Sequence, residues 1–248
     1  MADALSTDAV PADSFPTVGA DAIGWLDEQQ MIEVDRVMVD DLHIELIQMM
    51  ENAGRNLARL VLERFAPTSA VVYAGSGGNG GGGLVAARHL ANAGVATAVE
   101  LSRDTTDLDG VPRHQYDILQ RMGVVSRPGS SPPDGRFDVA IDALIGYSLR
   151  GAPRGRTREL IEDVASAADV IVSLDTPSGL DVTTGAIPGV VVAADATMTL
   201  ALPKVGLAGA RQVGDLYLAD ISVPPAVMRQ LGAVPPDFSG SPLLRIVA

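Results

Sequence analysis

Short apolar runs alternate with longer amphipathic segments through most of this chain, and this alternation limits the folds that it can adopt. Buried strands are predicted at residues 70–75, 95–101, 137–144, 169–175, 196–202 and 214–220, with no strand after the last of these. Helices are predicted at residues 25–41, 44–64, 84–93, 114–122 and 158–168. Strands that alternate with helices favour an α/β class of fold, with a mainly parallel sheet covered on both faces.

The composition indicates a folded enzyme or binding protein. Hydrophobic residues make up 47% of the 248 positions, which is enough for a sizeable core. The net charge of −13 argues against nucleic acid or an anionic membrane surface as a partner, and no apolar run is long enough to cross a membrane. The absence of cysteine excludes disulfides and thiolate chemistry. The N-terminus has no signal-peptide pattern, so we expect a cytoplasmic protein.

The two ends of the chain differ in character. Residues 1–20 are rich in Ala, Asp, Ser and Pro and show no periodicity, so we expect a flexible N-terminal tail. Residues 21–248 contain no internal repeat and no clear linker, and we expect a single domain. The stretch 126–136, which contains proline and glycine, is expected to be a surface loop.

Glycine-rich or charged segments follow four of the predicted strands. These segments are residues 75–83, 142–154 and 175–181, together with Lys204. Because ligands bind beyond the carboxyl ends of the strands in an open parallel sheet, we expect all four to meet at one rim.

The segment at residues 75–83 reads GSGGNGGGG, with glycine at seven of its nine positions. Glycine lets a ligand approach the backbone, and a strand-to-helix turn directs backbone amides and a helix N-terminus at an anion such as phosphate. No Gly-Lys-Ser/Thr closes the segment, so it is not a P-loop. It predicts a phosphate or nucleotide site, and a merely flexible turn is the alternative.

Charged side chains mark the other strand ends. Asp142 ends an apolar run, where a carboxylate is costly unless it is paired or bound to a cation, although it also fits a cap or turn. Asp175 precedes the sharp turn formed by Pro177 and Gly179, and it is a candidate acid, base or cation ligand, or else a partner of turn amides. Lys204 is a candidate partner of a carboxylate or a phosphate, and the alternative is a solvated charge at the surface.

Five motifs occur in order along the chain. They are MENAG at 50–54, GSGGNGGGG at 75–83, DALIGYSL at 142–149, DTPSGLD at 175–181 and PKVGL at 203–207. In this order they resemble the NAD(P)HX epimerase family, whose members carry a YjeF N-terminal-type domain. The resemblance extends from Asp27 to Pro224.

That resemblance implies a Rossmann-like, three-layer αβα sandwich that is usually a homodimer. It implies epimerisation of hydrated NADH or NADPH from the R to the S form, which repairs a damaged nucleotide together with a separate NAD(P)HX dehydratase. It implies one bound potassium ion (K+), held by Asn79, Asp142 and Ser178. The residues implied to contact the NAD(P)HX-type nucleotide are Gly78, Asn79, Gly80, Gly81, Gly82, Gly146, Tyr147, Ser148, Leu149, Arg150, Gly151, Ala152 and Asp175.

The chemistry of this reaction needs proton transfer. The reacting carbon bears a hydroxyl and the ring nitrogen, so its configuration is lost when the C–O or the C–N bond opens and forms again. We predict Asp175 as the catalytic acid or base, with Lys204 as the second candidate. No redox cofactor is required, because the nucleotide is itself the substrate.

Two glycines depart from the family pattern G-P-G-N-N-G-G-D-G. Gly78 stands for its first Asn and Gly82 for its Asp, which removes a carboxylate next to the expected substrate site. Two alternatives therefore stand beside the epimerase: a non-catalytic nucleotide-binding or dimerisation module, and an isomerase or lyase acting on another nucleotide-like metabolite.

Overall fold

The computed structural model describes residues 14–124 and 136–248, and their strands form one sheet. These strands are β1 (Thr17–Gly19), β2 (Ser69–Ala74), β3 (Ala96–Leu101), β4 (Phe137–Ala143), β5 (Ala168–Leu174), β6 (Ala196–Leu200), β7 (Asp215–Ala219) and β8 (Leu243–Val247). The strand order is β1-β8-β7-β6-β5-β4-β2-β3, and each neighbouring pair is parallel except β7 and β8.

Helices precede, connect and follow these strands. Within the described ranges the α-helices are α1 (Glu28–Arg36), α2 (Leu46–Phe65), α3 (Gly78–Asn92), α4 (Gly110–Arg121), α5 (Gly155–Ala167) and α6 (Pro225–Gln230). A reciprocal capping box between Asp27 and Gln30 begins α1, and a π-helical turn, Val37–Asp41, continues it. None of the helices in residues 14–124 and 136–248 has both the length and the apolar character needed to cross a membrane.

The sheet is covered on both faces, which confirms the three-layer α/β fold. Side chains alternate along β2, so that Val72 and Ala74 join the larger core cluster with α2 and α3. Val71 and Tyr73 point to the opposite face, where they join the cluster formed with α5. The alternating side chains of β2 therefore contribute to the core on both faces of the sheet.

The six predicted strands lie within two residues of the observed ones, but the prediction that the chain has no later strand is wrong. Strand β8 pairs with β7 and also with β1, which lies inside the expected tail. Phe15 is buried in the core and meets the Tyr217 ring edge-on, with 5.7 Å between the ring centroids. Residues 15–19 therefore belong to the fold, while residues 1–13 lie outside the described residues. The predicted loop 126–136 also lies outside them, apart from Arg136.

Three helices begin earlier than their apolar pattern predicts. They begin at Gly78, Gly110 and Gly155, where residues 84, 114 and 158 are predicted. For α3 the reason is packing, because a Cβ atom at Gly80 would overlap the carbonyl oxygen of Gly75. A Cβ at Gly83 would lie 2.5 Å from the Cβ of Ala143. Glycine thus lets α3 begin close against the ends of β2 and β4.

The strand order changes direction between β2 and β4. The chain passes from β2 through α3 to β3 at one edge, and it returns to β4 on the other side of β2. Helix α5 then crosses on the opposite face. Such a switch point leaves a crevice at the carboxyl ends of the two strands, where open α/β sheets bind ligands.

Candidate active site

A cavity of about 820 Å³ opens at this switch point. Its walls come from segments that follow β2, β3, β4 and β5, and from α1, α2 and α5. The lining residues are 76–79, 102–103, 144–154, Asp175, Leu200, Met31, Asp35, Leu46, Met50, Thr157 and Ile221. Three of the four segments that were expected to meet at one rim line the cavity, and the fourth, Lys204, contacts Asp175 without lining it.

The glycine segment contributes the N-terminus of α3 to the cavity. Gly77 caps the helix in an extended conformation, and the first intrahelical N–H donor is that of Gly81, which donates to the Gly77 carbonyl at 3.1 Å. The amides of residues 78–80 therefore have no acceptor within the helix. Gly78 and Asn79 line the cavity, so this end of α3 presents amide donors and a partial positive charge to it.

Gly80, Gly81 and Gly82 are buried in α3 and do not line the cavity. A Cβ atom at Gly82 would meet the side chains of Leu174 at 2.9 Å and Met50 at 3.6 Å. Position 82 therefore faces apolar packing between α3 and its neighbours. Any side chain at position 82 would crowd Leu174, so glycine suits the packing of α3 in this chain.

Asp142 is fully buried near the end of β4, and its partners are hydroxyl and amide groups. Its Oδ1 accepts the Ser178 hydroxyl and the Leu144 N–H, and its Oδ2 accepts the Ser173 hydroxyl at 2.9 Å and the Ser178 N–H at 2.8 Å. Burial raises the pKa of Asp142, and these hydrogen bonds oppose that rise. No lysine, arginine or histidine among the described residues pairs with this carboxylate.

Asn79 and Ser178 approach each other through the segment that follows β4. The Asn79 amide nitrogen donates to the Leu174 carbonyl at 3.2 Å, which leaves its oxygen available. Ser178 accepts the Ile145 N–H at 2.8 Å, and a Cβ atom at the next residue, Gly146, would lie 3.3 Å from the Asn79 side chain. A buried carboxylate without a charged partner, beside amide and hydroxyl oxygens, suits a hard cation.

Asp175 lines the cavity in a conformation that is unusual for a residue other than glycine. Its φ is +68°, in the left-handed region, and such strain concentrates at functional sites. Its Oδ1 forms an ion pair with the Lys204 ammonium, and its Oδ2 accepts the Tyr147 N–H at 3.1 Å. Both carboxylate oxygens are therefore held in place from different sides.

Lys204 is fully buried, contrary to the usual position of lysine at the surface. Besides Asp175, its ammonium donates to the Leu200 carbonyl at 2.8 Å and the Thr199 hydroxyl at 3.3 Å. A parallel bridge to Leu26 fixes the backbone of Lys204 beside the start of α1. Lys204 does not line the cavity. Its ion pair therefore makes it a residue that positions Asp175.

The segment after β4 forms the longest wall of the cavity. Gly146, Tyr147, Ser148, Leu149, Arg150, Gly151 and Ala152 all line it, and their contact with a nucleotide stays a prediction. Arg150 is paired with Glu28. Arg103 and Arg154, by contrast, line the cavity, and their side chains have no ion-pair or hydrogen-bond partner among the described residues, so their charges are available to an anion.

Sequence reasoning missed Asp35, a second acidic side chain of the cavity. It lies on α1 one turn after Met31, and both residues line the cavity. The Tyr147 hydroxyl donates to its Oδ2. Burial raises the pKa of Asp35, and the hydrogen bond from Tyr147 opposes this. Because α1 also carries several solvent-exposed charges, its sequence pattern gives no signal that sets Asp35 apart.

The switch-point cavity, the tight strand-to-helix turn and the mainly parallel sheet define a Rossmann-like α/β protein. Within that class, the chain belongs to the family described as YjeF-related protein N-terminus, whose sequence profile matches residues 46–206. A crystal structure of a yeast protein shares the fold, with a TM-score of 0.76 and 24% sequence identity over 89% of this chain and 99% of the yeast chain.

Curated relatives carry specific names. An NAD(P)H-hydrate epimerase of Dehalogenimonas lykanthroporepellens is 45% identical over 88% of this chain and 90% of the relative. An NAD(P)H-hydrate epimerase of Truepera radiovictrix is 41% identical over 82% of this chain and 91% of the relative. A bifunctional NAD(P)H-hydrate repair enzyme of Thermofilum pendens is 36% identical over 79% of this chain but only 39% of that longer relative.

Proposed function

We propose that this protein is an NAD(P)H-hydrate epimerase, which interconverts the R and S forms of hydrated NADH and NADPH in nucleotide repair. One observation carries the proposal. The strained, ion-paired Asp175 faces the same cavity as the N-terminus of α3, in a chain that matches nine-tenths of a curated epimerase at 45% identity. The cavity volume of about 820 Å³ falls within the range of small-molecule sites.

The nucleotide would bind along the rim of the sheet. The amides at the start of α3 suit its phosphates, because helix N-termini stabilise anions. Arg103 and Arg154 add two unpaired guanidinium groups to the same cavity. Residues 146–152 would then cover the nicotinamide end, which places the altered ring beside Asp175.

Asp175 is the acid–base group that we assign to the reaction. Its Oδ1 is held by the ion pair with Lys204, and the Tyr147 N–H orients the second oxygen. A carboxylate at the cavity wall accepts or returns the proton of the hydroxyl that leaves and re-adds at the reacting carbon. The same negative charge stabilises the cation that forms when the C–O bond opens.

Asn79, Asp142 and Ser178 are the residues that would hold a potassium ion. Their donor atoms are oxygens, and the buried carboxyl group of Asp142 has no cationic partner in the described ranges. An ion held by these residues would supply positive charge and would link the loops after β2, β4 and β5. The side chains also link these segments directly, since Asn79 donates to the Leu174 carbonyl and Ser178 accepts the Ile145 N–H and donates to Asp142.

Three further assignments are part of this proposal. Bifunctional relatives support a functional link to an NAD(P)HX dehydratase activity. We also propose a homodimer and a cytoplasmic location, both of which rest on the family resemblance and on the sequence composition.

The decisive experiment is a coupled assay. The R epimer of hydrated NADH is supplied with a dehydratase that accepts only the S epimer, and the appearance of NADH is followed at 340 nm. We expect this protein to accelerate the conversion well beyond spontaneous epimerisation. A rate equal to the spontaneous one would refute the epimerase, and binding of NADPH-type ligands without turnover would favour a non-catalytic binding module.

A further inference from the structure

Asp35 lies on α1, and Leu26, just before this helix, is bridged to the backbone of Lys204. The backbone N–H of Leu26 donates to Pro203 at 2.9 Å, and the N–H of Val205 donates back to Leu26 at 3.0 Å. Helix α1 starts directly after this bridge, with Asp27 as its N-cap. The position of Asp35 is therefore tied to the loop that carries the partner of Asp175.

Tyr147 connects the two acidic groups of the cavity. Its backbone N–H donates to Asp175 Oδ2 at 3.1 Å, and its side-chain hydroxyl donates to Asp35 Oδ2. All three residues line the same cavity. A substrate in contact with Tyr147 would thus meet Asp175 near the backbone of that residue and Asp35 near its hydroxyl.

The surroundings of these two carboxyl groups differ. Asp175 has a buried cation and two backbone N–H donors, from Tyr147 and Leu200. Asp35 has the Tyr147 hydroxyl as its polar partner and no ion pair among the described residues. Burial raises the pKa of Asp35, and Asp175 adds to the rise, while Tyr147 and Lys204 act against it. Two titratable groups in contrasting environments are suited to opposite roles as acid and base.

We propose that Asp35 is a second catalytic group, which donates a proton to the substrate while Asp175 accepts one, with Tyr147 positioning both. This inference rests on the proposed epimerase function. It deepens that function by assigning the proton donor, for which the sequence offers no candidate other than Asp175 and Lys204.

The proposed step balances as follows. Asp35 protonates the hydroxyl of the reacting carbon, the C–O bond breaks with its electron pair moving to oxygen, and water leaves. The ring nitrogen supplies its lone pair to form a C=N double bond, which gives a planar cation. A water molecule adds to the opposite face, the C=N pair returns to nitrogen, and Asp175 takes the released proton. Exchange with solvent returns the proton from Asp175 to Asp35, so that no oxidant or reductant is consumed.

The test compares Asp35→Asn with the wild-type protein in the coupled assay. The substitution keeps the size of the side chain but removes its titration, so we expect kcat/KM to fall by roughly 10²-fold or more while an NADPH-type ligand still binds. Asp40→Asn is the matched control, since Asp40 is an exposed acid on the segment that continues α1. Thermal unfolding of each variant establishes that it is folded.

The pH profile separates a proton donor from a merely structural residue. Because Asp35 must be protonated to act, kcat/KM of the wild type falls at high pH with the pKa of Asp35, and this limb is absent in Asp35→Asn. Tyr147→Phe removes a hydrogen bond that lowers this pKa, so the limb moves to higher pH. Asp175 and Lys204 are the other charged groups that face Asp35, and both variants retain them.

Each outcome is decisive. A wild-type protein without catalysed epimerisation overturns the proposed function, and this assignment with it. An active wild type, with Asp35→Asn within about threefold of it and an unchanged pH profile, overturns the assignment of Asp35 alone. If Asp35→Asn fails to fold, Tyr147→Phe decides, because an unshifted alkaline limb is incompatible with Asp35 as the donor.

Discussion

The ammonium group of Lys204 donates to one oxygen of Asp175, and this ion pair is almost completely buried: the two side chains are 0% and 3% exposed. A buried ion pair is weak as a source of net stability, but the loss of either partner leaves the other charge uncompensated. Because Asp175 also lines the cavity, a substitution in this pair affects both the stability of the fold and the geometry of the cavity.

We predict that Lys204→Met lowers the free energy of unfolding by about 3–5 kcal/mol, because Asp175 then remains buried without its cation. The double variant Lys204→Met with Asp175→Asn should recover part of that loss. Urea unfolding of both single variants and the double variant gives the coupling energy. Additive effects of the two substitutions would contradict a direct, buried interaction.

A second prediction concerns Asp175→Asn. We expect kcat to fall by roughly 10²–10⁴ while the Kd for an NADPH-type ligand changes little, because the amide keeps the shape of the side chain but cannot take a proton. Asp181→Asn is the control, since Asp181 follows the same strand but accepts hydrogen bonds from the turn residues Thr183 and Thr184. Unchanged turnover in Asp175→Asn would require another acid–base group, with Asp35 as the first candidate.

The glycine segment offers a third test, which concerns packing. Gly80→Ala places a Cβ atom against the carbonyl oxygen of Gly75, so we expect a loss of stability of about 3 kcal/mol, at the upper end of overpacking effects. Gly78→Ala is the matched variant, because its Cβ would lie 3.8 Å from the nearest atoms, those of Leu46 and Met50. Equal denaturation midpoints for the two variants would show that α3 does not approach β2 as closely as the structure shows.

The central strands could be predicted from the sequence, because a short apolar run bounded by turn residues has few alternatives to a buried strand in an α/β chain. The start of α3 could not be predicted, because five of its first six residues are glycine, which is a poor helix former, and close packing holds them in the helix here. Strand β8 was missed because its pairing with β1 and β7 depends on contacts between the two ends of the chain.

The site was predicted only where a motif or a strand end gave a signal. Asp142, Asp175 and Ser178 follow apolar runs or a constrained turn, and the structure brings Asp142 and Ser178 into direct contact. The burial of Lys204 was not predictable, since a single lysine after a strand is usually solvated. Asp35 lies on a helix that is distant in sequence, and only the tertiary structure places it near Tyr147.

The proposed potassium site predicts an ion-specific stability. Potassium chloride should raise the melting temperature above that in choline chloride at equal ionic strength, by about 2–4 °C for each kcal/mol of binding energy. Asp142→Asn should abolish this difference. Asp138→Asn, on the same strand, removes a carboxylate bound to Thr68 and Ser69 and should retain the difference. Identical melting temperatures of the wild type in both salts would remove the support for a potassium site.

The unpaired arginines of the cavity give a prediction for substrate binding. Arg103 follows β3, the strand next to the glycine turn, a position from which an arginine reaches the 2′-phosphate in many dinucleotide-binding folds. We expect Arg103→Gln to raise the KM for hydrated NADPH by about tenfold, with little change in kcat and a smaller effect on hydrated NADH. Arg121→Gln, at the exposed end of α4, is the control and should alter neither value. An equal rise in KM for both substrates would place Arg103 at the shared pyrophosphate instead, and no rise for either would exclude it from nucleotide binding.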